Sequence, residues 1–522
     1  MRGDSHFMLA FEGTRAPLEL LTTLAHGEVP GVTLFPETNI SDPGQLMELT
    51  SSLQAAAGEL PLLIAADQET GQLVGLGRHT TQFPGAMALG ASRDADLARR
   101  VAAAVGREMR ALGVTMNYAP VCDVVTNPDN PSLGIRGFSD DPALCAALAA
   151  ATVEGLASVG VATTAKHFPG KGEATVDPHN ELPLLDIDRD RLDAVELAPF
   201  RAAIASGASA VMTGHYAVPA VTGRRDLPGT VSRAMVSGLL RDELGFGGVV
   251  ITDALDMGAL PQGVGQIVDV IAALAAGVDL LLLTPDPEVE GRLRAGLDLA
   301  VARGLVGEDL TATSRRRVSE LRSWLAAFDR PPLETVACAD HRELAAEAGR
   351  RSITLVRNDD GVLPLDAGGR LLAVMPRPAN LTPADTSSSV EPSLAASLRE
   401  RHPEVTEIVT GHRPTHDEIA GVAAAATTAD AVVVGTLTAG DEQAAMVEAL
   451  LATGLPVVTV AMRTPFDLAR YPTATTHLCT YSIHRPSMAA LADVLFGAEV
   501  PPGKLPAAIP GLYPTGHGMG RA

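Results

Sequence analysis

Through about residue 320, short apolar runs alternate with longer amphipathic stretches. Eight runs rich in Val, Ile, Leu and Ala lie at 7–11, 32–35, 62–66, 114–118, 162–165, 208–213, 249–252 and 278–283. Between them apolar positions recur at helical spacing, as in 95–112, 143–159, 192–206, 232–243 and 268–276. A strand buried on both faces reads as a continuous apolar run, and a helix between two such strands makes them parallel. Eight units in succession predict a (β/α)₈ TIM-type barrel. The stretch 315–350 is charged and helical, punctuated by Pro331-Pro332, and reads as a linker. Strand-like runs resume at 353–356, 371–375, 431–434 and 457–461, with helical 417–425 and 443–452 among them. They predict a second, doubly wound α/β sandwich domain, in which no GxGxxG or Walker pattern occurs. The expected division is 1–325 for the barrel, 326–350 for the linker and 351–522 for the sandwich.

Ionisable and polar residues gather where the apolar runs end. The third run leads into Asp67-Gln68-Glu69 and the fourth into Asn117 and then Asp123. The fifth ends at Lys166-His167, the sixth at Thr213 and His215, and the seventh at Asp253. In a barrel the carboxyl ends of the strands share one rim, so these positions converge on one candidate site. Any one of them alone could be a helix cap or a satisfied polar group.

Composition narrows the class. With 522 residues the chain exceeds a single core, and 46% hydrophobic with 20% charged residues is ordinary for a globular protein. Sixty-two acidic against 40 basic residues leave a net charge of −22, which repels nucleic acid and anionic membrane. The four cysteines, Cys122, Cys145, Cys338 and Cys479, form no CxxC and read as free thiols of a reducing compartment. The N-terminus has no apolar signal core, and no run reaches the roughly 18 apolar residues of a membrane span, so a cytoplasmic location is expected. The abrupt start, with a strand-like run already at Phe7, fits a preceding segment.

The richest stretch runs from Lys166 through His167-Phe168-Pro169-Gly170-Lys171-Gly172-Glu173 to Asp177-Pro178-His179. Lys166 and His167 are expected at the rim as donors to sugar hydroxyls. Asp177 can reach the His179 imidazole, fix its tautomer and favour its protonated form, so that His179 gives and takes a proton. A solvated loop is the plainer alternative. Asp253 follows the Gly-led run Gly247-Gly248-Val249-Val250-Ile251-Thr252. A carboxylate there can attack an anomeric carbon; the plainer alternative is the N-cap of a helix beginning at Ala254.

These motifs resemble glycoside hydrolase family 3, in its β-N-acetylglucosaminidase branch. Lys166–Gly170, Asp177-Pro178-His179 and Thr252-Asp253-Ala254-Leu255 carry the resemblance, as do Asp67-Gln68-Glu69, Asn117–Asp123, Arg136-Gly137-Phe138 and Met212-Thr213-Gly214-His215. Ser352–Asn358 is similar to the opening of the family's second domain. The resemblance implies a retaining mechanism with Asp253 as nucleophile, His179 as acid/base and Asp177 orienting it. Asp67, Arg136, Lys166, His167, Lys171, Met212 and His215 are the implied substrate-binding residues. It implies a small carbohydrate partner, no cofactor, no metal and no catalytic group in the second domain; monomer and homodimer both stay open. Three motifs depart from the family pattern: Lys171 stands for the His of Phe-Pro-Gly-His-Gly, Thr70-Gly71-Gln72 for Gly-Gly-Arg, and Arg136-Gly137-Phe138-Ser139 for Arg-Ser-Phe-Gly. Three other readings compete: a glycoside phosphorylase, because neither a His acid/base nor Lys171 repels phosphate; a hydrolase of another β-glycoside; and a catalytically silent sugar-binding protein.

Overall fold

The computed structural model describes residues 3–27, 29–366 and 368–520. Eight parallel strands form its first sheet: β1 (Phe7–Leu9), β2 (Gly31–Thr33), β3 (Leu63–Ala66), β4 (Met116–Asn117), β5 (Ala162–Phe168), β6 (Ala210–Thr213), β7 (Val249–Thr252) and β8 (Leu281–Leu282). Each pairs with its neighbours in sequence, β1 also pairs with β8, and a bridge between Ile251 and Leu280 brings β7 to β8. The result is a near-closed barrel.

The two faces of each strand go to different cores. Leu63 and Ala65 of β3 and Val249 and Ile251 of β7 point into the barrel with Met8, Met116 and Leu280. Ile64, Ala66 and Val250 point outward to the helices. That double burial is why the runs are continuously apolar.

The strands are mostly shorter than the runs that foretold them. β2 stops at Thr33, so that Leu34 and Phe35 leave the sheet, and β4 and β8 keep two residues each. β5 is longer than expected and carries Lys166 and His167 inside the strand rather than on a rim loop. The extra pairing is the cause: Lys166 bridges Val121, and Phe168 pairs with Thr213.

The charged stretch expected as a linker holds two packed helices. Val318, Leu321 and Leu325 of the helix Glu308–Leu325 join the barrel's interior core from below. The helix Ala339–Ser352 buries Ala345 and Ala348. Its charge density reflects only the outer faces.

The second sheet runs in the order β9 (Thr354–Asn358), β14 (Thr476–Cys479), β13 (Val457–Ala461), β12 (Ala431–Thr436), β10 (Leu371–Pro376), β11 (Val405–Thr410). All neighbours are parallel except β9 with β14. Helices Leu394–Arg399 and Arg485–Leu495 cover one face, and His416–Ala426 and Asp441–Leu451 the other. This is a doubly wound arrangement. β11 and β14 were not expected from the sequence: β11 is an exposed edge strand with a polar pattern, and β14 has only four residues, two of them Thr and His. Among the described residues no helix is long and apolar enough to cross a membrane. All four cysteines are free; three are buried and Cys338 is half-buried.

Candidate active site

The carboxyl ends of the barrel strands surround a cavity of about 390 Å³. Of the sequence-predicted residues, Asp67, Arg136, Lys166, His167, Lys171, Met212, His179 and Asp253 line it. Asp177 stands behind His179. His215 does not reach the cavity: its ring is held between the Thr230 hydroxyl at 2.8 Å and the Ala254 carbonyl at 3.0 Å. It therefore braces the backbone next to Asp253, which corrects its expected substrate contact.

Asp253 leaves β7 with its amide donating to the Thr213 carbonyl at 2.9 Å, while its carboxylate accepts from the Ala254 amide at 2.9 Å. The residues after it make turns, and the next helix starts only at Gly265, so Asp253 caps no helix. The loop bearing His179 is tied to the loop after Asp253: Gly258 and Ala259 amides donate to the His179 and Pro178 carbonyls at 3.0 and 3.1 Å. A side chain on Gly258 would meet the His179 carbonyl at 2.8 Å, so only glycine permits this approach.

Asp177 accepts twice from His179, from the ring Nδ1 at 2.6 Å and from the amide at 3.0 Å. Burial pushes the Asp177 carboxyl up, but its hydrogen bonds from His179 outweigh this and hold it below the usual carboxylate range. With Nδ1 committed to an ionised Asp177, the ring is fixed and Nε2 is left for substrate.

At the opposite wall lies a buried ionic network. The Lys166 ammonium meets Asp67 at 2.6 Å and Glu69 at 2.5 Å, and Arg136 grips Glu69 through two hydrogen bonds of 2.8 Å. Burial opposes ionisation of Glu69, yet Arg136 and Lys166 prevail and bring its pKa to about 2. For Asp67 burial wins and the carboxyl is raised. Two of the three Lys166 N–H groups are taken by carboxylates, leaving one for a ligand.

His167 differs from its expected role as a donor. Burial, reinforced by Lys171, Arg136 and Lys166, drives its pKa well below the ordinary value, so the ring is neutral. Nδ1–H donates to Asp123 at 2.7 Å, and Nε2 accepts from Arg136 at 3.3 Å. Asp123, raised by burial to about 6, also accepts from the Lys171 amide at 2.9 Å. The Lys171 side chain is 1% exposed, and its ammonium has no hydrogen bond or ion pair among the described residues. Burial and the Arg136 charge lower its pKa to about 8.

Residues 10–321 match the glycosyl hydrolase family 3 N terminal domain, and residues 353–513 match the glycosyl hydrolase family 3 C-terminal domain. The chain belongs to glycosyl hydrolase family 3. It is 35% identical to "Beta-hexosaminidase A" of Pseudoalteromonas piscicida over 67% of this chain and 63% of that protein. It is 36% identical to "Beta-hexosaminidase" of Stenotrophomonas maltophilia over 58% of this chain and 90% of the relative. The solved family 3 β-N-acetylglucosaminidase from Paenibacillus sp. str. FPU-7 matches at a TM-score of 0.90 and 35% identity, covering 97% of this chain and 98% of that one. A β-glucoside phosphorylase shares the fold at a TM-score of 0.80 and 22% identity, covering 97% of this chain and 93% of that one. The chain thus spans a little under two thirds of the Pseudoalteromonas relative.

Within this family 3 site, the departures at Lys171 and Gln72 separate. Lys171 faces the cavity. Gln72 lies away from it, and its backbone carbonyl accepts from the Thr386 amide and hydroxyl at 3.0 and 3.2 Å. The Thr386 hydroxyl also accepts from the Val74 amide at 3.0 Å. This clasp sets Pro383 and Ala384 of the second domain over the cavity, a contribution the sequence did not signal. Glu69 and Asp123 were legible as strand-end carboxylates, but Glu69's place in the ion network depends on Arg136, 67 residues away.

Proposed function

We propose that the chain is a retaining glycoside hydrolase that releases terminal β-linked N-acetylglucosamine-type sugars from cell-wall or chitin-derived fragments. The observation that carries this reading is the pairing, on one cavity, of the Asp253 carboxylate with a His179 imidazole held by Asp177. Asp253 attacks the anomeric carbon as His179 protonates the departing oxygen through Nε2. A covalent glycosyl–Asp253 ester forms, and the imidazole, now neutral, takes a proton from water as that water releases the sugar. Asp177 stabilises the imidazolium that gives the proton in the first step and that re-forms in the second. Asp67 and the spare Lys166 N–H hold sugar hydroxyls; Met212 supplies an apolar wall. Arg136 fixes Glu69 and so Lys166, and the neutral His167 ring, held between Asp123 and Arg136, forms part of the cavity wall.

The relatives named for β-hexosaminidase and β-N-acetylglucosaminidase activity support the amino-sugar preference. Asp253→Ala is expected to abolish turnover of an aryl N-acetyl-β-glucosaminide, losing at least 10³-fold in kcat; full activity would overturn the assignment.

One observation favours a second reading, glycoside phosphorolysis. The buried Lys171 ammonium has no carboxylate in contact and would receive an anion in the cavity. A panel of aryl β-glycosides assayed with and without phosphate separates the two readings. Free sugar formed at a rate independent of phosphate is the outcome expected of the hydrolase; a phosphate-dependent sugar 1-phosphate is that of the phosphorylase.

A further inference from the structure

A second cavity, of about 240 Å³, lies between the two domains. From the barrel side Gln72, Asn130 and Gly134 line it; from the second sheet come Thr382, Thr438 and Arg463. The residues of the second sheet follow the carboxyl ends of β10, β12 and β13. In sequence the parallel strands are β10, β11, β12, β13, β14, and in space they run β11-β10-β12-β13-β14. The connections after β10 and β12 therefore leave to opposite faces, and the cavity lies beyond the carboxyl ends of those strands. That crevice is where open α/β sheets take ligands.

Its polar atoms are incompletely used. Gln72 and Arg463 are each 3% exposed. The Gln72 Oε1 acceptor, the Arg463 Nε–H donor and the Thr382 hydroxyl have no partner among the described residues. A buried polar atom without a partner is costly, so three around one cavity point to a ligand that satisfies them. The Arg463 charge is already balanced, because it pairs with buried Asp385 at 2.9 Å and also donates to the Ser387 hydroxyl at 3.2 Å, and the exposed Asp129 carboxylate on the lining disfavours an anion. What remains needed is a molecule that both donates and accepts and carries no net charge. Phe466 adds an apolar surface suited to the C–H face of a ring. The volume is below the roughly 300–1,000 Å³ of sites that enclose drug-sized ligands.

We propose that this interdomain cavity is a second binding site, for a neutral monosaccharide, separate from the catalytic cavity. The two share a wall. Residues 381 and 382 line the one and 383 and 384 the other, as do Gln72 and Leu73. Sugar in the second site therefore presses on the same loop that covers the first.

Calorimetric titration of the full chain with N-acetylglucosamine is expected to give two sugars per chain. The double variant Gln72→Met, Thr382→Val deletes two of the unpartnered atoms. It should weaken the second binding at least tenfold and leave the ligand-free protein melting no lower than the parent. One sugar per chain bound as tightly by the double variant as by the parent, or two undiminished in the variant, overturns the proposal. So does inorganic phosphate displacing the second sugar. A crystal of the unaltered chain soaked in N-acetylglucosamine tests it without substitution: sugar in the interdomain cavity supports it, and sugar in the catalytic cavity alone overturns it. Loss of binding in the catalytic cavity alone would count against the hydrolase reading and leave this one standing.

Discussion

His179 and Lys171 both sit on the catalytic cavity, and differ in what their partners leave them to do. His179 has one nitrogen held by Asp177 and the other free, the condition for moving a proton. His179→Ala is expected to lose far more rate on glycosides with poor leaving groups than on those with good ones, because a good leaving group departs without protonation. Equal losses across a leaving-group series would remove His179 from the acid role. Lys171 has a buried ammonium with no hydrogen bond or ion pair among the described residues, and burial with the Arg136 charge takes its pKa from 10.5 to about 8. The folded chain thus gives up this proton before the unfolded chain does. Between those values the unfolded state binds more protons, so the group's penalty on stability is full below about pH 8 and fades toward 10.5. Lys171→Met is therefore expected to stabilise the protein at pH 7, by about 1–3 kcal/mol. In urea titrations the gain over the parent should shrink to nothing by about pH 10.5. A gain independent of pH would show that the charge is not its source.

At the scale of elements, a helix and a loop matter most. The helix Glu308–Leu325 closes the barrel end remote from the site, with Leu325 1% exposed among residues of the barrel interior. Leu325→Ala leaves a cavity there and is expected to cost about 2–5 kcal/mol, read as a lowered urea midpoint. A true linker would tolerate the change. In the sequence the loop after β10 stands out only by the run Ser387-Ser388-Ser389. Its packing on Gln72 and Val74 brings Pro383 and Ala384 to the cavity through hydrogen bonds between residues more than 300 positions apart. No local pattern encodes such a partner. β11 escaped notice for a related reason: it pairs on one side only, and its side chains need not be apolar.

Over the whole molecule the two domains share a core. Met87, Val121, Leu133 and Ile135 from the barrel side cluster with Tyr471, Leu505 and Ile509 from the second domain. The tail returns to the barrel, where the Asp140 carboxylate accepts from the Ala508 amide at 2.8 Å and from the Thr515 hydroxyl. A chain ending at residue 352 would leave this apolar surface in water and the catalytic cavity without Pro383 and Ala384. It is expected to melt well below the full chain and to lose most of its turnover. Unchanged melting and kinetics would show that the barrel is self-sufficient. The second domain then acts as a wall and a brace, with no catalytic group assigned to it.

The elements and the chemistry available to them were legible in the order of residues alone. Continuous apolar runs mark strands buried on both sides, so the barrel was countable before any contact was known. The carboxyl ends of those runs named Asp67, Lys166, His167 and Asp253, and local spacing joined Asp177 to His179. Tertiary structure alone decided which of these groups remain free. It turned His215 away from the cavity, made His167 a neutral ring spent on Asp123 and Arg136 rather than a donor to sugar, bound Arg136 to Glu69, and left the Lys171 ammonium without a hydrogen bond or ion pair among the described residues. The physical reason is that burial and long-range ion pairs set a side chain's protonation and reach, and both depend on residues far apart in the chain.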